Sequence, residues 1–240
     1  MTLKDAANTA RKLLSTKYCG AVIVAAGSAS RMGGIDKVMA PLRGEPMILR
    51  TVRAFEGCDT VKEIVIVTRE DLIKPITELC SGFTKVRSVV KGGSSRQESV
   101  KLGLLALSKE VQLAAVHDGA RPLVSVELID KTIRAAHSYG AAAPAIPVKD
   151  TIKVSEGGFI ASTPDRSTLR AVQTPQVIDR DLLLGALEKA EQDGTAVTDD
   201  CSAVEHIGMK VRLAEGDERN LKVTTPLDLK IAELLLEEEK

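Results

Sequence analysis

Residues 20–33 read GAVIVAAGSASRMG. The stretch Gly20–Ala25 is apolar without interruption, β-branched at its centre and ended by small residues. Such a run predicts a strand buried on both faces, as in a parallel sheet. It enters a loop of Ala, Gly and Ser, where missing side chains let backbone N–H groups approach a phosphate closely. Arg31 and, six residues on, Lys37 add positive charge there. The loop is not GxGxxG, because Gly27 is followed by Ser28 and Ala29, and it is not GxxxxGK[ST] either. Two readings stand at this point: a phosphate loop outside the two common motifs, or a strand-to-helix turn with solvated charges.

Outward from that strand, apolar runs alternate with helical periodicity. Strands are predicted at 63–67, 85–90, 113–117 and 141–146, and helices at 46–55, 71–80, 96–107 and 126–137. The pattern defines an α/β fold, a mostly parallel, Rossmann-like sheet with helices on both faces. Its sites are expected past the carboxyl ends of the strands. The rhythm then changes. Residues 151–154 and 159–162 flank a Glu156-Gly157-Gly158 turn and predict an inserted β-hairpin, within an arm of about residues 147–170. A hairpin this short is marginal alone and calls for something to pack on. A helix at 181–192, a strand at 210–214 and a helix at 226–238 close the chain. Residues 18–240 are read as a single domain, preceded by a helical extension over residues 1–17.

Composition removes several classes of function. The 33 Lys and Arg balance 33 Asp and Glu, so no bulk field steers the chain to nucleic acid or to an acidic membrane. Aromatics are 2%, with no Trp, which leaves an aliphatic core and few stacking platforms for single strands. No apolar run is long enough for a transmembrane helix. Four cysteines, Cys19, Cys58, Cys80 and Cys201, show no CxxC spacing and read as reduced thiols of a cytoplasmic protein.

Two further strand ends resemble the first in chemistry. Gly92-Gly93-Ser94-Ser95-Arg96-Gln97-Glu98-Ser99 places glycines and hydroxyls at a helix start, and His117-Asp118-Gly119-Ala120-Arg121-Pro122 places a carboxylate at a strand end. A carboxylate there suits a divalent cation or sugar hydroxyls. Taken singly, Asp118 also reads as a helix cap, Arg121 as half of a surface ion pair and Lys222 as a surface lysine. Three such loops on one sheet edge favour a common site.

With these segments in hand a resemblance is apparent. Ala-Ala-Gly-x-x-x-Arg-Met at 25–32 resembles sugar-phosphate nucleotidyltransferases. The loops at 92–100 and 117–122, with Gln173-Thr174-Pro175-Gln176, Thr198-Asp199-Asp200 and Asn220-Leu221-Lys222-Val223-Thr224, narrow it to the 2-C-methyl-D-erythritol 4-phosphate cytidylyltransferase family. The resemblance covers about residues 18–238. It implies transfer of CMP from CTP to the sugar-alcohol phosphate with release of pyrophosphate, aided by Mg²⁺. The metal is expected mainly on the CTP phosphates, with Asp118 the candidate protein ligand.

The resemblance also assigns roles. Arg31 and Lys37 match stabilisers of charge on the triphosphate. Ala25, Ala26, Gly27, Gly93, Ser99 and Gly119 match the nucleotide site. Asp118, Arg121, Thr174 and Lys222 match positions around the acceptor and the phosphates. Thr151 and Arg166, on or beside the arm, match residues that reach the partner subunit's site, which implies a homodimer. Partners are then CTP and a sugar-alcohol phosphate, with no nucleic acid and no membrane. Two other readings remain open: a ribitol or other pentitol-phosphate cytidylyltransferase, and a non-enzymatic nucleotide-binding scaffold. The acidic Asp36 before Lys37 departs from the Pro or Asn usual in the family.

Overall fold

In the computed structural model, which describes residues 18–27 and 37–237, the decisive apolar run is strand β1 (Cys19–Ala25), buried along its length except at half-buried Val24. The helix expected near the N-terminus and Arg31 lie outside the described residues. After β1 come a two-residue-stranded hairpin, β2 (Pro41–Leu42) and β3 (Glu45–Pro46), and then helix α1 (Met47–Glu56). The α/β alternation follows: β4 (Val61–Thr68), α2 (Glu70–Leu79), β5 (Val86–Lys91), α3 (Arg96–Ala106), β6 (Leu113–Asp118), α4 (Val126–Tyr139) and β7 (Ala141–Pro147). The remainder holds β8 (Val154–Glu156), β9 (Phe159–Ser162), β10 (Arg170–Val172), β11 (Gln176–Asp179), α5 (Arg180–Gln192), α6 (Asp200–His206), β12 (Arg212–Glu215) and α7 (Pro226–Leu235).

Strand β1 lies between β4 and β6, parallel to both, and β5 extends the sheet beyond β4, also parallel. On the other side β11 runs antiparallel between β6 and β7. Ala142 pairs with both Val177 and Arg212, and Ala145 with both Val172 and Glu215. Strand β12 therefore lines one flank of β7, while β10 and β11 follow one another along the other flank as a single interrupted strand. The interruption is Gln173-Thr174-Pro175, with a cis bond before the proline.

The pleat sorts the core. Ala21, Ile23 and Ala25 of β1 join Ile48, Val52 and Phe55 of α1 and Ile129 and Ile133 of α4 on one face. Val22 joins Val100 and Leu104 of α3 and Leu183 and Leu187 of α5 on the other. Burying each Val, Leu, Ile or Phe side chain among these stabilises the fold by ~1.5–3 kcal/mol, and with no Trp these layers carry the core. Gly103 lets α3 seat directly on the sheet, since a Cβ there would stand 2.4 Å from Val22 Cγ1. That contact brings the first turn of α3 to the carboxyl edge of β1 and β5.

Several expectations need correction. The first arm strand is Val154–Glu156 rather than 151–154, because the turn is made by Gly157 and Gly158 alone, both at positive φ, and Glu156 pairs with Phe159. The strand expected at 210–214 is Arg212–Glu215. Strands β10 and β11 and helix α6 were not expected.

Candidate active site

Three loops converge where β1, β5 and β6 end. The β5 loop is held by its own hydroxyls. Ser95 caps α3 by accepting from the Glu98 N–H (3.0 Å), and the Glu98 carboxylate accepts from the Ser94 N–H (2.6 Å) and hydroxyl (2.7 Å). The Gly93 N–H donates to Ser99 Oγ (3.1 Å), whose own hydroxyl donates to the Ser95 carbonyl (2.8 Å). Ser99 is buried, so its work is to hold Gly93 and the helix start in register. Gly92 meets the β1 loop directly: a Cβ there would lie 2.6 Å from Ala26 Cβ and 2.9 Å from Ser99 Oγ. The β6 loop is tied to β1 by the Gly119 N–H, which donates to the Val24 carbonyl (2.9 Å).

Asp118 ends β6 and collects the charges of the site. Its Oδ2 lies 2.9 Å from Lys222 Nζ and 3.5 Å from Arg121 Nε, and its Oδ1 lies 3.9 Å from Arg96 Nε. Burial works against its charge, yet Lys222, then Arg96 and Arg121, hold the carboxyl down at about 2. Burial in turn lowers the Arg121 guanidinium, and Asp118 opposes that. Arg121 Nη1 donates to the Asn220 carbonyl (2.6 Å), which brings the 220–222 segment, and with it Lys222, against the β6 end.

A second network fixes the strand end from behind. The Asp118 N–H donates to Thr174 Oγ1 (3.2 Å), and that hydroxyl pairs with His117 Nδ1 (2.9 Å). The hydroxyl is thus acceptor from the amide and donor to the ring, which leaves the proton of a neutral imidazole on Nε2, facing the Arg121 carbonyl at 3.3 Å. Burial lowers the His117 pKa to about 4, in keeping with a neutral ring packed on Phe55. His117 is therefore a structural donor and acceptor rather than a base. Asn220 completes the joint by donating Nδ2–H to the Thr174 carbonyl (2.8 Å).

The convergence encloses a cleft of about 370 Å³. Of the residues singled out in the sequence, Ala25, Ala26, Gly27, Lys37, Gly93, Ser99, Asp118 and Lys222 line it. Gly119, Arg121 and Thr174 stand immediately behind, through the contacts above. Thr151 and Arg166 do not enter it. Both are exposed on the arm, and Arg166 Nη1 donates to the Lys149 carbonyl (2.6 Å) in a separate surface hollow with Arg170. Arg96 lines the cleft and had no role assigned from sequence. Its signal was its position, the residue after a Ser cap that follows two glycines.

Among the described residues no group of three or more His, Cys, Asp or Glu is placed to hold a metal ion. Among the described residues Asp118 is the one carboxylate on the cleft wall. A lone carboxylate suits a Mg²⁺ carried mainly by substrate phosphates and waters rather than caged by protein.

A mostly parallel sheet with a glycine-lined, cation-rich cleft at its carboxyl edge fits a protein that binds a nucleotide by its phosphates. The profile of the family 2-C-methyl-D-erythritol 4-phosphate cytidylyltransferase matches residues 19–238. The enzyme of that name from Symbiobacterium thermophilum is 47% identical over 220 residues, 91% of this chain and 92% of the relative. That of Caldanaerobacter subterraneus is 45% identical over 225 residues, 90% of this chain and 97% of the relative. The crystal structure of 4-diphosphocytidyl-2C-methyl-D-erythritol synthase from Anaerococcus prevotii superposes with a TM-score of 0.85 at 30% identity, covering 93% of this chain and all of that one. The Thermus thermophilus 2-C-methyl-D-erythritol 4-phosphate cytidylyltransferase gives 0.75 at 32% identity, over 90% of this chain and 98% of that one.

This chain belongs to the 2-C-methyl-D-erythritol 4-phosphate cytidylyltransferase family. It transfers CMP from CTP to 2-C-methyl-D-erythritol 4-phosphate, giving 4-diphosphocytidyl-2-C-methyl-D-erythritol and pyrophosphate, a step of isoprenoid biosynthesis.

Proposed function

We propose that the transfer runs in the cleft between the ends of β1, β5 and β6, with the charge cluster on Asp118 at its phosphate end. The observation that carries this reading is the gathering of Lys222, Arg121 and Arg96 within 4 Å of one buried carboxylate that opens on a cleft lined by Lys37. The backbone of Ala25–Gly27 and Gly93 receives the cytidine, with Ser99 and Gly119 holding those loops. Lys37, with Arg31, stabilises the triphosphate as the acceptor's phosphate oxygen attacks the α-phosphorus and the bond to pyrophosphate breaks. A phosphate dianion is already a nucleophile, so no general base is required, and the neutral, buried His117 fits that economy. Catalysis then rests on positioning and preorganised charge. Asp118 would hold a Mg²⁺, which would supply neutralising charge to the CTP phosphates.

The reading takes residues 18–240 as one catalytic domain, preceded by residues 1–17 as an extension. It places two such domains in a homodimer through the arm, so that Thr151 and Arg166 serve the partner's site, with Arg166 and Lys222 on the acceptor phosphate. The exposure of Phe159 (81%) and Ile160 (66%) on β9 supports this, because apolar groups so placed gain from a second copy. Buried free thiols at all four cysteines support a reducing, cytoplasmic setting.

Mixing two inactive variants tests the site and the arm together. Lys37→Ala is expected to cut kcat by about 10²-fold or more, as loss of one electrostatic stabiliser does. Arg166→Ala is expected to raise the KM for the acceptor and leave CTP binding near wild type. After subunit exchange, half the dimers are mixed and one site in each is intact, so about a quarter of the activity returns under two-fold symmetry. No recovery with exchange demonstrated would place Arg166 in its own chain's site or outside the chemistry.

A further inference from the structure

Three segments far apart in sequence meet behind the cleft, and the roles assigned so far use only one of their side chains. Asp200, the first residue of α6, is fully buried and accepts two bonds from Arg96: Nη1 to Oδ1 at 3.1 Å and Nη2 to Oδ2 at 2.7 Å. Gln176 of β11 seals the same helix start. Its Oε1 accepts from the N–H groups of Asp200 and Cys201, both at 2.9 Å, and its Nε2 donates to Asp199 Oδ2 at 2.8 Å. Asp200 thus has no freedom to follow Arg96 if the arginine shifts. A bidentate fork of this kind fixes a guanidinium in plane as well as in place.

The fixed guanidinium faces the cleft. Arg96 Nε is 3.9 Å from Asp118 Oδ1, too far for a hydrogen bond, while Asp118 Oδ2 is already engaged by Lys222 and Arg121. One arginine therefore spans two carboxylates, tightly bound to the buried one and held short of the one on the cleft wall. Without the buried partner, a partly buried guanidinium seeks the nearest carboxylate. That carboxylate is Asp118, at the oxygen its other partners leave open.

We propose that Asp200 is a positioning residue for the transfer: it retains Arg96 on the cleft wall and so keeps Asp118 Oδ1 open to the bound substrates. The inference rests on the placement of the reaction at Asp118. It makes Gln176 a brace for Asp200, and it gives Arg96 two opposite effects, useful when anchored and obstructive when released.

The experiment measures kcat per CTP-binding site, with sites counted by calorimetry in the absence of acceptor, so that a loss of folded protein does not register as a loss of rate. Asp200→Asn keeps the shape and removes the charge. Its kcat per site is expected to fall about tenfold, equivalent to ~1.4 kcal/mol of transition-state stabilisation, with the CTP dissociation constant within about threefold of wild type. Adding Arg96→Gln removes the released guanidinium, and the double variant is expected to regain at least about threefold over Asp200→Asn. Because sites are counted by CTP binding, recovery in kcat per site is separate from the recovery of folded protein that relief of an orphaned buried charge would also give. Wild-type turnover per site in Asp200→Asn overturns the proposal, as does a double variant no faster than the single. Loss of CTP binding in a folded Asp200→Asn overturns it too, since the cleft itself would then have collapsed. If Asp200→Asn does not fold, Asp200→Glu retains the charge and moves the anchor by one methylene. Its kcat per site is expected to fall about threefold, and an unchanged value refutes the role. Asp118→Asn separates the two levels: if it turns over like wild type, the placement of the reaction fails, and if only Asp200→Asn does, this inference alone fails.

Discussion

Asp118 should give the protein a measurable part of its acid sensitivity. Its carboxyl is lowered from the ordinary 3.8 to about 2 in the folded chain. Below about pH 4 the unfolded chain takes up a proton there while the folded chain does not yet do so. The ionised group therefore favours the folded state above that pH, and the contribution is lost as pH falls through the folded value. At about 1.4 kcal/mol per pH unit, the gap between 3.8 and about 2 corresponds to ~2.5 kcal/mol at neutral pH. Only 8% of the residue is exposed, so solvent screening takes little from this figure. Other carboxylates titrate in the same range, and the informative quantity is the difference from Asp118→Asn. Urea unfolding of both proteins between pH 6 and pH 2 should show the wild type losing stability relative to the variant by most of that amount, with the change confined to pH below about 4. In Lys222→Met the leading attraction is gone and the relative loss should be smaller. A wild-type-to-variant difference that stays constant with pH would show that Lys222, Arg96 and Arg121 do not hold this carboxylate in the folded protein.

Two further outcomes follow from the loops. The tight approach of Gly92 to Ala26 makes a close-walled pocket, so kcat/KM for CTP should exceed that for ATP or GTP by a wide margin, read as pyrophosphate release with each triphosphate. Equal use of a purine would refute the close-walled pocket. Gly92→Val drives a side chain into Ala26 and Ser99. It should weaken CTP binding on the order of tenfold or more in calorimetry while acceptor KM, measured at saturating CTP, changes little.

How far the sequence carries depends on the range of the interaction being read. Strand β1 is legible because a continuous apolar run leaves few alternatives, and α3 because Ser95 and Glu98 mark its start. The cleft is legible because glycines, hydroxyls and charges sit at predicted strand ends, where an open parallel sheet gathers its sites. The interrupted strand β10–β11 is not: each piece has four residues or fewer, a proline lies between them, and the pairing partners are far upstream. Helix α6, seven residues long, gives too little periodicity to detect. The Arg96–Asp200 pair spans 104 positions, and no local pattern announces which acid a given arginine will meet.

The two halves of the site also differ in what supports them. The nucleotide half is built into the core, since Ser99 and Gly103 of α3 tie the β5 loop to the sheet and the Gly119 N–H bonds to β1. The arm has no such backing. Every residue of β8 and β9 is exposed, and among the described residues the two strands pair only with each other. In a chain with three Phe in 240 residues, one is spent on β9 at 81% exposure. Burying that side chain is worth ~1.5–3 kcal/mol, comparable to what a short hairpin lacks for stability on its own. In the proposed dimer, the arm and the acceptor contacts assigned to it would become ordered by association, whereas the CTP half would be ordered by folding. Binding of CTP should then be nearly indifferent to the state of the arm, and discrimination among acceptors should depend on it.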